Sequence, residues 1–150
     1  MATAHHYLNF NGNTEEAFDF YRSVFGGDFL NLIRFRDVGD MLSTDKLPEA
    51  DRDKIMHVGL RIGDGSILMA TDALESMGQK LNVGNNSYIY LETDSAQEAN
   101  SSSTPSAPTK VEMGLSKTDW AEKYGACTDK FGVQWMVNYT GNVQFGSQEG

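Results

Sequence analysis

Cysteine, proline and positive charge are all scarce in this chain. A single cysteine, Cys127, among 150 residues excludes an internal disulfide and fits a reducing, cytoplasmic setting. Nothing near it in sequence lowers a thiol pKa, so it reads as a packed side chain and not a nucleophile. Twelve Lys and Arg stand against 21 Asp and Glu, a formal charge of -9. Such a chain repels phosphate backbones and anionic lipid surfaces, so neither nucleic acid nor membrane is expected as a partner. No apolar run approaches the roughly 20 residues needed to cross a bilayer. The N-terminal stretch lacks both the charged and the apolar regions of a secretory signal. Three histidines leave little scope for a Ser-His-Asp triad. There is no nucleophile elbow, and Gly63-Asp64-Gly65 lacks the lysine and spacing of a phosphate loop.

What the chain does have is a repeated pattern within a length suited to one domain. His6 to Phe10, Glu15-Glu16-Ala17 and Phe20-Tyr21 open the first half, and Ser87 to Leu91 with Gln97-Glu98-Ala99 open the second. Each half closes on a glycine turn followed by a strand that reaches a methionine, Gly65 to Met69 and Gly132 to Met136. A strand, a helix and further strands, twice over, predict two copies of one small module, at about 5–72 and 86–140. In the first, residues 6–11 read as a strand and Thr14 as a helix N-cap, with Glu15 and Glu16 in the first turn. Gly26-Gly27 ends that helix. Residues 28–36, 55–62 and 66–71 read as strands, and 37–54 as a long loop with room for a short helix. In the second, strands are expected at 87–93, 110–113, 124–129 and 133–139, with Asp94 or Ser95 capping a short helix at about 95–101 and a loop or helical turn at 116–123. Ser101 to Thr109, which holds Pro105 and Pro108, cannot present an apolar helix face. The tail from Gly141 is expected to be disordered.

Several of these segments resemble PhnB-like proteins of the vicinal oxygen chelate superfamily, which also holds glyoxalase I, bleomycin-resistance proteins and extradiol dioxygenases. They are Asn9 to Tyr21 with Val24 to Gly27, Lys54 to His57, Ile62 to Asp64, and Thr128 to Asn138, so the likeness covers roughly residues 6–140. The resemblance implies an α+β fold of paired βαβββ modules, mixed sheets curled around a ligand cleft, and commonly a homodimer. Many such proteins are described as 3-demethylubiquinone 3-methyltransferase-like, but nothing in this chain resembles a methyl-donor site. The resemblance also implies a helix similar to Lys-Leu-Phe-Asn-Ala-Leu-Ser-Ala where this chain has Ser101 to Pro108. Codons for that stretch, read one base out of frame, yield Ser-Ser-Ser-Thr-Pro-Ser-Ala-Pro. The segment is therefore read as a local frameshift, which resequencing the gene would test.

Metal-dependent members of the superfamily place ligands on the first and last strand of each module. Counting from the flanking motifs, those positions fall on His6, Ser87, Met69 and Met136. One imidazole, one hydroxyl and two thioethers suit a hard or borderline divalent ion poorly. No cofactor is expected, with His6 the only weak candidate metal ligand. His57, Gly59 and Arg61 lie opposite the apolar set Met56, Val58, Leu60 and Ile62. They are expected to line the cleft, with His57 a candidate acid, base or hydrogen-bond donor and Arg61 a candidate carboxylate clamp. On the last strand Trp135 is read as core, while Gln134, Met136 and Asn138 face the cleft beside Met69. Trp120 and Tyr124 are read either as a flat cap over a ligand or as part of a dimer contact. The ligand-binding set is thus His6, His57, Arg61, Met69, Trp120, Tyr124, Gln134 and Met136. Three readings of function follow: a metal-free small-molecule binding protein, a metal-dependent lyase, isomerase or dioxygenase, and a structural dimer without a ligand.

Overall fold

The computed structural model describes residues 1–38, 46–63, 65–103 and 110–143. The chain divides into two units, Met1–Asn82 and Val83–Gly150, described here in turn. The fold class is α+β, with two four-stranded mixed sheets and few helices.

In the first unit β1 (His6–Phe10) leads into α1 (Thr14–Phe25), then β2 (Phe29–Arg34), a 3-10 turn (Phe35–Val38), α2 (Glu49–Arg52), β3 (Ile55–Ile62) and β4 (Ser66–Asp72). The sheet order is β1-β4-β3-β2, with β1 parallel to β4 and the other pairs antiparallel. Helix α1 packs on β3 and β4, burying Ala17, Phe18 and Tyr21 against Val58, Leu60, Leu68 and Ala70. Phe18 meets Phe10 and Tyr21 edge to face, at centroid distances of 6.4 and 5.6 Å. A satellite cluster of Phe35, Leu47 and Leu74 takes in Met56. The expected N-cap role of Thr14 is not what forms. Asn13 is the cap and makes no side-chain cap bond. Thr14 is the first helical residue, fully buried, and both its N–H and its hydroxyl donate to Oδ1 of Asp72, at 3.0 and 2.7 Å. The N–H of Ile55 donates to Oδ2 of the same carboxylate at 2.8 Å. A carboxylate at a helix N-terminus meets free N–H groups and the positive end of the dipole, so Asp72 fastens the ends of α1, β3 and β4 together. Gly26 ends the helix with φ 76°. Arg34, which ends β2, pairs with Glu15, and Arg36 with Glu49 and Asp53.

In the second unit β5 (Ile89–Glu92), α3 (Ala96–Ser103), β6 (Lys110–Ser116), β7 (Lys123–Thr128) and β8 (Gln134–Tyr139) repeat that topology as β5-β8-β7-β6, with β5 parallel to β8. Ser95 caps α3: its Oγ accepts the N–H of Glu98 at 3.0 Å, and Glu98 reaches back to the N–H of Asp94. β6 is longer than expected, because β7 supplies partners as far as Ser116; of the loop or helical turn expected after it, the loop forms, at residues 117–122. In the hairpin, Oδ1 of Asp129 accepts the N–H groups of Phe131 and Val133, and its Oδ2 accepts the indole N–H of Trp135 at 2.9 Å. That bond satisfies the polar edge of a buried Trp135, which is core as read from sequence. Cys127 is buried and unpaired, and burial pushes its thiol pKa up. Residues 104–109, most of the segment read as frameshifted, and 144–150, most of the tail read as disordered, lie outside the described residues. Among the described residues no helix is long and apolar enough to cross a membrane.

Candidate functional site

Strand parity gives each sheet a helix-covered face and an open face. In the first unit the open face carries Tyr7 and Asn9 from β1, Met69 and Thr71 from β4, and His57, Gly59 and Arg61 from β3. Tyr7 stands opposite Met69, and Met69 opposite Gly59. The Tyr7 hydroxyl lies 3.4 Å from Nδ1 of His57, with the rings tilted at a centroid distance of 5.8 Å. Burial raises the Tyr7 pKa, against a hydrogen bond from Thr71 that lowers it. Gly59 lets β2 approach closely: a Cβ there would come within 3.2 Å of the Leu30 carbonyl oxygen and 3.3 Å of its Cβ. Arg61 is exposed, and none of the ion pairs among the described residues uses it. His57 and Arg61 are where parity puts them. His6 is not. It alternates with Tyr7 and shares its face with Leu8 and buried Phe10, on the helix side of the sheet. By the same parity His5 belongs with Tyr7, and its Nδ1 accepts the N–H of Ile67 at 3.2 Å.

In the second unit Tyr90 stands opposite Met136, and Glu92 opposite Asn138, which is in turn opposite Tyr124. The Glu92 carboxylate accepts from Asn138 Nδ2 at 2.8 Å, the Tyr90 hydroxyl at 3.0 Å and the Thr140 hydroxyl at 2.8 Å. Burial pushes the Glu92 carboxyl up, but the bonds from Thr140, Asn138 and Tyr90 outweigh it and hold the group below its ordinary value. Burial, then the bond to Glu92, pushes Tyr90 up to about 12. Asn138 is 2% exposed, and its Oδ1 has no partner among the described residues. The Tyr124 hydroxyl donates to Met136 Sδ at 3.3 Å. Trp120, 40% exposed, packs edge to face on Tyr124 at 5.2 Å. Trp120, Tyr124 and Met136 therefore do come together. Gln134 does not join them as an open donor: it is buried, and Nε2 donates to the Ser87 carbonyl at 2.6 Å.

Tyr7, Tyr90 and Glu92 were missed in sequence; Asn138 was read there with the cleft-facing set of the last strand. The two methionines are equivalent, each four residues past its turn glycine, and the residues facing them are Tyr7 and Tyr90. Sequence matching had instead aligned His6 with Ser87. Register makes Ile89, two residues past Ser87, the counterpart of His6; the Tyr88 that follows Ser87 mimics the Tyr7 that follows His6. The alternating exposure expected of β1 was the signal that could have found Tyr7.

The sequence profile of the Glyoxalase/Bleomycin resistance protein/Dioxygenase superfamily matches residues 3–137. The chain belongs to that superfamily. Protein YjdN of Escherichia coli (strain K12) is 32% identical over 142 residues, spanning 88% of this chain and 91% of that protein. The crystal structure of protein PA1353 from Pseudomonas aeruginosa aligns at TM-score 0.77 and 36% identity, over 93% of this chain and 98% of its own. A PhnB protein from Bacillus cereus aligns at TM-score 0.71 over 92% and 99%, and at 20% identity this likeness is one of fold. The superfamily's metal-dependent members raise the question whether these open faces suit a divalent ion. They do not. The residues opposite Met69 and Met136 are phenols with raised pKa values, which stay protonated near neutrality, and the methionines offer soft thioethers. Among the described residues no three His, Cys, Asp or Glu side chains gather as a ligand set.

Proposed function

We propose that this superfamily member is a small-molecule binding protein that holds its ligand on an open sheet face and needs no resident metal. The observation that carries the reading is the pairing of a half-exposed tyrosine with a methionine on each open face, Tyr7 with Met69 and Tyr90 with Met136. Tyrosine offers a flat apolar body with a polar tip, and methionine an adaptable surface. Around them a few polar groups are already fixed in place: His57 beside Tyr7, and Glu92 and Asn138 beside Tyr90. Apolar walls with few oriented polar groups are what organic ligands bind.

A ligand that binds only the folded state raises the melting temperature by mass action. Chelator-treated protein screened by thermal shift against anionic, neutral and cationic aromatic compounds is expected to give hits that survive excess chelator. Hits that appear only after metal is added back would contradict the reading, as would no hits at all.

A further inference from the structure

The open face of the second sheet has a polarity that the first lacks. Glu92 there is held by three side-chain partners, Tyr90, Asn138 and Thr140, all neutral donors, and a second carboxylate, Glu112, accepts from Tyr88 and Thr128. None of the ion pairs among the described residues involves Glu92. Its negative charge is therefore fixed but not neutralised. The amide of Asn138 is oriented by that carboxylate: the NH₂ side must face an oxygen that only accepts. Its Oδ1 is thereby left buried without a donor, a condition that costs free energy unless something supplies one. Flanking these groups is aromatic surface. Tyr90 is half exposed, Trp120 is 40% exposed, and Tyr124 is held by Met136 and Trp120. Glu92 and Tyr124 sit on strands either side of β8, so roughly 10 Å separates their backbones, two strand spacings.

We infer that this face binds an organic ammonium ion with an aromatic or apolar body. The ammonium group lies against Glu92, which Asn138 holds in place, and against the Tyr90 ring, and its body covers Met136 up to Tyr124 and Trp120. A carboxylate attracts the charge, and aromatic faces attract cations through their quadrupole. A carboxylate or phosphate ligand would meet an uncompensated negative charge here. This inference rests on the binding reading above and specifies the ligand class for one face.

The test uses the full chain and three probes of one shape: phenethylamine, phenethyl alcohol and phenylacetate. Binding is followed at the Trp120 indole N–H by NMR, with buried Trp135 as an internal reference. Phenethylamine is expected to shift the Trp120 resonance and to bind at least tenfold more tightly than the other two. E92Q is expected to weaken it at least tenfold while the Trp135 resonance stays in place. Because the comparison of probes is made on the unaltered protein, it stands even where E92Q fails to fold. Equal binding of alcohol and amine would overturn the cation inference and leave the binding reading intact, as would undiminished binding to a folded E92Q. Thermal-shift hits that leave Trp120 unmoved by all three probes would overturn the assignment of this face. No binder in either experiment would overturn both.

Discussion

Single residues carry the framework, and Asp72 carries more than any other polar one. It is 1% exposed and accepts from two backbone N–H groups and one hydroxyl. Asp72→Ala leaves three buried donors without an acceptor. Charge-assisted bonds contribute about 1.5–3 kcal/mol each and orphaned donors cost a further share, so a loss of about 3–5 kcal/mol is expected in urea unfolding. A loss under about 1 kcal/mol would mean that water or another carbonyl takes its place. Nothing in the sequence marks Asp72 as this hub, because its partners lie 58 and 17 residues away. Residue-scale parity likewise decided His6 against His5 and Tyr7. An adjacent pair of histidines looks equivalent in sequence, yet a strand sends neighbours to opposite faces.

At the scale of elements the two helices differ more than the two sheets. α1 buries Ala17, Phe18 and Tyr21, whereas Ala99 is the one buried side chain described in α3. On the face that carries Trp135 and Val137, a cavity of about 150 Å³ remains, lined also by Val111, Leu115 and Cys127. Val111 is 57% exposed. The Ser-rich, Pro-containing segment gave that weakness away in advance: without bulky apolar residues a helix cannot cover a sheet. A buried Phe contributes roughly 1.5–3 kcal/mol, and 1.4 kcal/mol is a factor of ten. Amides of α3 are therefore expected to exchange with solvent at least about tenfold faster than those of α1, since local opening follows local burial. Equal protection would show that something else covers the second sheet. Strands β3 and β8 were legible because strict alternation and flanking glycines mark them. The start of β5 was not, since Tyr88 after Ser87 resembles Tyr7 after His6 and draws the match two residues too early.

For the whole molecule, the repeat and the family motifs made the fold legible, and the superfamily match and the two sheets of identical topology agree with it. The candidate site was legible only in part. Parity and motif pointed to His57, Met69, Trp120, Tyr124, Met136 and Asn138, whereas Tyr90 and Glu92 emerge only when cross-strand register assembles them. The central claim is that these faces bind an organic ligand and not a metal. It is tested most directly by the divalent metal content of the purified, untagged protein. The protein would first be exposed to zinc, nickel, manganese and ferrous iron, then analysed by mass spectrometry. Phenols and thioethers at the decisive positions predict retention far below one ion per chain for every metal. Near-stoichiometric retention that disappears in His5→Ala or His57→Ala would contradict the account and make a metal-dependent enzyme the better reading.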